Sequence, residues 1–108
     1  MSHRPAPPTL VEVRERLLPF CQRHPIRRLE VFGSVAAGTA VLASDVDLLV
    51  ALDEGAEVTS SHLLEMAGEA EELLGVPVDF MLRRNLESSP RTAQRAAILA
   101  SAVCIYGA

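Results

Sequence analysis

Two aspartates stand two positions apart at the start of the most apolar strand that the sequence predicts. Asp45 and Asp47 open the segment Asp-Val-Asp-Leu-Leu-Val-Ala-Leu, which predicts a strand over 45–52. Residues i and i+2 of a strand point to one face, with about 6.6 Å of rise between them. We therefore expect both carboxylates on one side, and Val46 and Leu48 on the opposite, core-facing side. Like charges this close favour a bound cation, and Mg²⁺ typically takes one or two carboxylates plus water and phosphate oxygens.

Gly33-Ser34 is the second feature with chemical potential. The pair closes a strand predicted over 29–32 and opens a segment of small residues. Glycine lets the backbone approach a ligand closely, and N–H groups at the start of a helical turn favour an anion such as phosphate. The Ser34 hydroxyl can donate a further hydrogen bond. Taken alone, this pair is equally compatible with a plain turn, and the two aspartates with a turn residue followed by an exposed strand residue.

Asp79 is a third carboxylate, within the apolar segment 76–82, which predicts another strand. A buried carboxylate there would be costly without a partner. If this strand lies beside the 45–52 strand, Asp79 completes a cluster of three carboxylates. The alternative is a solvent-facing residue on an edge strand, because Pro77 is typical of sheet edges.

Helices and strands alternate along the chain, which predicts the α/β (α+β) class with a small mixed β-sheet flanked by helices. The first helix begins at a capping box formed by Thr9 and Glu12, is expected to kink or split at Pro19, and ends at His24-Pro25. The other expected limits are an irregular lead-in over 1–8, a helix from Ser60 or Ser61 to Gly75, a helix opened by Ser89-Pro90, and a last strand over 103–106.

Length and composition restrict the class of protein. The 108 residues fit one domain over 1–108, and 49% hydrophobic residues supply a core. A formal net charge of −4 and only 4% aromatic residues argue against a nucleic-acid partner. The absence of a signal peptide and of an apolar run of about 20 residues predicts a cytoplasmic protein without a membrane span. Cys21 and Cys104 are expected to be buried, reduced thiols.

The combination of these features is more specific than any one of them. Gly33-Ser34, then ten residues, then Asp45-Val46-Asp47, with a later carboxylate in an apolar strand, forms the pattern Gly-Ser-x10-Asp-x-Asp. The sequence thereby resembles the DNA polymerase beta-like nucleotidyltransferase superfamily. More narrowly, it is similar to the minimal nucleotidyltransferases that pair with HEPN-domain proteins. The matching segments are 29–38, 44–50 and 73–79.

This resemblance implies a DNA polymerase beta-like nucleotidyltransferase fold and a role for each site residue. Gly33 and Ser34 would contact the triphosphate of ATP or another nucleotide. Asp45, Asp47 and Asp79 would hold two Mg²⁺ ions, and Asp79 would help to activate the acceptor hydroxyl. The implied reaction transfers a nucleoside monophosphate, AMP where the donor is ATP, to that hydroxyl. In the toxin–antitoxin members of the family the acceptor is a tyrosine of the HEPN partner.

The chain departs from the family pattern directly after Ser34. Val35 and Ala37 occupy positions where the family commonly has arginines, so phosphate binding should be weaker unless Arg83, Arg84 or Arg91 reaches the site. Two functions therefore remain open. One is an active nucleotidyltransferase that serves as the antitoxin of a HEPN toxin, and the other is a catalytically weak or inactive binding module that neutralises its partner by contact. A homo-oligomer is also compatible with the sequence.

Overall fold

The computed structural model describes residues 6–41 and 45–107. Within these ranges it contains five helices and four strands. The helices are α1 (Leu10–Arg23), α2 (Gly33–Ala37), α3 (Ser60–Leu74), α4 (Arg83–Glu87) and α5 (Thr92–Ser101). The strands are β1 (Ile26–Phe32), β2 (Val46–Leu52), β3 (Val78–Leu82) and β4 (Val103–Gly107).

The four strands form one mixed sheet in the order β3-β2-β1-β4. β1 pairs antiparallel with both β2 and β4, whereas β2 and β3 are parallel. Parallel neighbours need a long crossover connection, and α3 supplies it between β2 and β3. The expected small mixed sheet flanked by helices is confirmed.

The main core lies between the sheet and the long helices α1 and α3. Val46, Leu48 and Val50 of β2 point into it, as their alternation predicts, and each is at most 1% exposed. Their partners come from both helices and from β1. These fully buried partners include Val13, Leu17, Phe20, Leu29, Val31, Met66 and Ala70.

A second, smaller cluster covers the opposite face of the sheet. Phe32 and Leu49 pack there against Leu86 of α4. Side chains of α5 complete the cover. The partly buried members are Met81 of β3, Ile98 and Leu99 of α5, and Ala102, which directly follows α5. Leu49 and Asp47 point to the same face of β2. The cluster buries Leu49 completely, whereas Asp47 lies at its margin and is half-buried.

Helix α1 confirms the predicted capping box but not a break at proline. The Thr9 hydroxyl accepts from the Glu12 backbone, and the Glu12 carboxylate accepts from the Thr9 backbone. Pro19 lies inside one continuous helix, Leu10–Arg23, whose C-cap is His24, so the expected splitting is wrong. Pro19 is exposed, so water can reach the Glu15 carbonyl that lacks a donor, and the buried face stays intact.

Several expected boundaries differ from those observed. The N-cap of α3 is Thr59, whose hydroxyl accepts from the His62 backbone, and not Ser60 or Ser61. Ser89-Pro90 does not open the last helix, whose N-cap position is Arg91. Cys104 is exposed, whereas Cys21 is buried as expected. Residues 1–5 of the expected lead-in, and Ser44 of the family pattern, lie outside the described residues.

None of the helices in the described part of the chain has the length and the apolar character needed to cross a bilayer.

Candidate metal and nucleotide site

Asp47 and Asp79 are register partners in neighbouring parallel strands. The β2–β3 ladder pairs Val46 with Val78 and Asp47 with Asp79. Paired residues of adjacent strands project from the same face of a sheet. The two carboxylates, which are 32 positions apart in sequence, therefore lie side by side on the face opposite the main core. Asp45 precedes β2 directly and is exposed.

Gly33 lies against Asp47 from the other side. Phe32, the last residue of β1, is the register partner of Asp47, so the chain turns into α2 beside that carboxylate. Gly33 has a φ of +73°, and a Cβ at this position would come within 2.1 Å of Asp47 Oδ2. Only glycine fits both the backbone angle and the space. The Gly33-Ser34 turn and the aspartate pair thus form one site, with Ser34 in the first turn of α2.

The electrostatics of the site centre on Asp47. Burial raises the pKa of its carboxyl above the ordinary value, and the charges of Asp79 and Asp45 raise that pKa further. The three carboxylates are therefore close enough for their charges to interact. A cation beside them would offset both the lost hydration and the mutual repulsion.

The donor set fits Mg²⁺ better than a metal held by protein ligands alone. Within 6–41 and 45–107, no group of three His, Cys, Asp or Glu side chains has the spacing needed to hold a metal ion. Asp47 and Asp79 nevertheless offer hard carboxylate oxygens on one face. Mg²⁺ commonly uses one or two such carboxylates and takes its remaining ligands from water and substrate phosphates.

The position of Asp79 corrects one step of the sequence argument. Asp79 is exposed, so burial in an apolar strand does not force it to find a partner. It lies on the edge strand β3, as the alternative interpretation held, and yet beside Asp47, as the functional interpretation held. An exposed Asp79 can still belong to the site, because a substrate must be able to reach the carboxylates from solvent.

The phosphate-binding half of the site lacks the family's positive charges. Val35 is only 5% exposed and packs in the main core, so that position contributes no charge. Ala37 is exposed at the end of α2. Arg83 does not compensate, because its guanidinium is bound to the carboxylates of Glu30 and Glu87. Glu30 is 4% exposed, so a buried carboxylate holds Arg83 in place.

Sequence reasoning missed the Glu30–Arg83 pair and the contact of Gly33 with Asp47. Glu30 stands between the core residues Leu29 and Val31. A carboxylate in such a segment indicates a buried charge that needs a cationic partner. Both interactions cross between distant segments, so spacing along the chain could not reveal the partner.

Comparisons with known proteins agree with this geometry. The family model of the nucleotidyltransferase domain matches residues 13–103. A protein of Methanocaldococcus jannaschii, provisionally named a protein adenylyltransferase, is 33% identical over 70 residues, which cover 65% of this chain and 73% of that protein.

Solved structures are similar as well. A structure provisionally described as a minimal nucleotidyltransferase is 39% identical, with a TM-score of 0.68 over 89% of this chain and 95% of that chain. A chain in the complex of tri-AMPylated Shewanella oneidensis HEPN toxin with MNT antitoxin has a TM-score of 0.66 over 93% of this chain and 74% of that chain. At 15% identity the latter likeness concerns the fold alone. The chain belongs to the nucleotidyltransferase domain family, and its resemblance to the minimal nucleotidyltransferases is confirmed.

Proposed function

We propose that the protein transfers AMP from ATP to a hydroxyl group of a HEPN-domain partner and thereby acts as the antitoxin of a toxin–antitoxin pair. The observation that carries the proposal is the pairing of Asp47 with Asp79, with Gly33-Ser34 packed against Asp47. The nucleotidyltransferase family membership supports the reaction class. The partner is supported by the Shewanella oneidensis complex, in which a HEPN toxin is AMPylated beside an MNT antitoxin.

Each site residue has a role in this reaction. The Gly33-Ser34 turn binds the triphosphate on the β1 side of Asp47. Asp45, Asp47 and Asp79 would hold two Mg²⁺ ions only together with water and the substrate phosphates, which supply the remaining ligands. The ions would neutralise the phosphates and stabilise the charge that develops during displacement. Asp79 accepts the proton of the acceptor hydroxyl. The acceptor oxygen then bonds to the α-phosphorus, the bond from that phosphorus to the bridging oxygen breaks, and pyrophosphate leaves.

The direct test is transfer of label from ATP labelled at the α-phosphate. The purified protein is incubated with Mg²⁺, this ATP and a HEPN-domain protein with which it forms a complex. We expect label on the HEPN protein with wild type and none with Asp47→Asn, since an amide is a poor ligand for Mg²⁺. Asp53→Asn is the matched control, because Asp53 lies in the exposed segment after β2. Label transfer by Asp47→Asn at the wild-type rate would refute these roles.

A second candidate function is neutralisation by contact without catalysis. Val35 in the core and Arg83 bound to Glu30 favour it, since both observations leave the triphosphate with fewer cationic partners. Lost hydrogen bonds to charged groups cost about 1.5–3 kcal/mol each, which amounts to about tenfold or more in affinity. If Asp47→Asn retains the complex with the toxin but no longer neutralises it, masking by contact is excluded.

A further inference from the structure

Two histidines and a glutamate join α1 to α3 at a place that the roles described so far do not use. His24 is the C-cap of α1, and His62 lies in the first turn of α3. Glu69 belongs to the same helix, α3. Both helices pack on the main-core face of the sheet, whereas Asp47 and Asp79 project from the other face. The three side chains therefore form a cluster separate from the aspartates.

The two imidazole rings face each other through one nitrogen each. His62 Nε2 lies 3.3 Å from His24 Nδ1, and the ring planes are tilted by 47°. This separation is longer than the usual hydrogen-bond distance of about 2.9–3.0 Å between a nitrogen donor and its acceptor. Two nitrogens bound to one tetrahedral zinc ion at 2.0–2.1 Å lie about 3.3–3.4 Å apart. The spacing of the two nitrogens therefore suits a shared metal ion.

Glu69 determines which nitrogen of His24 is available. Its Oε2 lies 2.5 Å from His24 Nε2, and an ionised carboxylate only accepts hydrogen bonds. His24 Nε2 therefore carries a proton, and in the neutral ring Nδ1 presents its lone pair towards His62. Histidines that bind metals almost always donate their other N–H to such a partner. Glu69 is held in turn by Arg23, which binds its second carboxylate oxygen.

Both rings are held in place and remain open to solvent on one side. The His24 ring packs against Phe20 with 4.8 Å between the ring centroids, and Phe20 is fully buried. The His24 side chain is 18% exposed. The His62 backbone N–H donates to the Thr59 hydroxyl, which anchors the first turn of α3. An ion from solvent can thus reach two nitrogens whose positions are already fixed.

We propose that His24 Nδ1 and His62 Nε2 bind a zinc ion and that Glu69 orients His24 from outside the coordination shell. Imidazole nitrogen suits Zn²⁺, whereas Mg²⁺ prefers oxygen ligands. Groups of three ligating side chains are absent from 6–41 and 45–107, so water completes the tetrahedral shell beside the two imidazoles. The bound ion fastens the end of α1 to the start of α3. This site is independent of the proposed nucleotidyl transfer.

The test is a titration of the ¹⁵N-labelled full chain with zinc chloride in excess Mg²⁺, followed through the ring nitrogen signals. All samples carry Cys104→Ser, because the exposed Cys104 thiol could bind zinc by itself. We expect saturation at one equivalent, with the largest shifts at His24 Nδ1 and His62 Nε2. His62→Ala should abolish these shifts, and Glu69→Gln should weaken binding by about tenfold or more. Glu72→Gln is the matched control, because it removes the same charge from an exposed position of α3.

Four results would overturn the proposal. They are the absence of saturable shifts at the two ring nitrogens, undiminished zinc binding by His62→Ala, equal weakening by Glu69→Gln and Glu72→Gln, and displacement of zinc by Mg²⁺. The amide spectrum of each variant shows whether the fold is intact, and Glu69→Gln tests the site with both rings in place. Asp47→Asn should bind zinc at His24 and His62 as wild type does, which separates this site from the aspartates.

Discussion

At the scale of single residues, Asp47 is the centre of the site. It is half-buried, it pairs in register with Asp79, and it contacts Gly33 so closely that no Cβ fits between them. Three segments distant in sequence thus meet at one carboxylate. Substitutions at Gly33 and Asp47 therefore test the site more sharply than substitutions at the exposed Asp45.

Gly33→Ala should disable the site. The new Cβ would collide with Asp47 Oδ2, and φ at this position is +73°. Gly38→Ala is the matched control, because Gly38 has a φ of +74° and open space around it. We expect Gly38→Ala to cost about 1–2 kcal/mol of unfolding free energy through backbone strain alone. Gly33→Ala should cost more and also lose ATP binding, as measured by urea unfolding and calorimetry. Equal effects of the two substitutions would contradict the contact.

Asp47→Asn should make the ligand-free protein more stable at neutral pH. The Asp47 carboxyl has a pKa raised above its ordinary value of 3.8 by burial and by Asp79 and Asp45. Such a group stabilises the fold fully below its ordinary pKa, and this contribution is lost as pH rises through the raised pKa. The variant should therefore unfold at higher urea than wild type at pH 7, and the difference should shrink below about pH 4. Asp53→Asn should show no such pattern, and a less stable Asp47→Asn at pH 7 would contradict the electrostatic account.

At the scale of elements, segments with a clear local signal were predictable, including the short last strand, whereas the short helix α4 was not. The apolar alternation of β2 and the capping box of α1 are local signals, and both are confirmed. The sequence gives no sign of α4, because five residues are too few to show a helical period. The predicted break of α1 at Pro19 was wrong because only the local cost of the proline is visible in the sequence. Its local cost is real, but packing of the opposite face of α1 outweighs it.

Pro19→Ala should stabilise the protein. A proline inside a helix costs about 3 kcal/mol, while its stiffening of the unfolded chain returns about 1 kcal/mol. We therefore expect a gain of about 2 kcal/mol in urea unfolding. Pro25→Ala serves as the control, because Pro25 follows α1 and interrupts no helical hydrogen bond. That variant should be slightly less stable than wild type. A loss of stability in Pro19→Ala would show that the proline is accommodated without cost.

At the scale of the whole molecule, strand order decides what the residues can do. The pattern Gly-Ser-x10-Asp-x-Asp identified the residue types, but local spacing does not say which strands are neighbours. The sheet places β2 between β1 and β3, so Asp47 lies between the Gly33-Ser34 turn and Asp79. The Glu30–Arg83 pair, which spans 53 positions, likewise depends on the fold. Such long-range contacts lie beyond periodicity arguments because they depend on the pairing register.

The central claim is that Asp47, Asp79 and the Gly33-Ser34 turn form one metal-dependent nucleotide site. The most direct measurement is calorimetric titration of ATP into the ligand-free protein, with and without Mg²⁺. We predict binding by wild type and Asp53→Asn that requires Mg²⁺, and no binding by Asp47→Asn. Binding of the same strength without Mg²⁺, or undiminished binding by Asp47→Asn, would contradict the account.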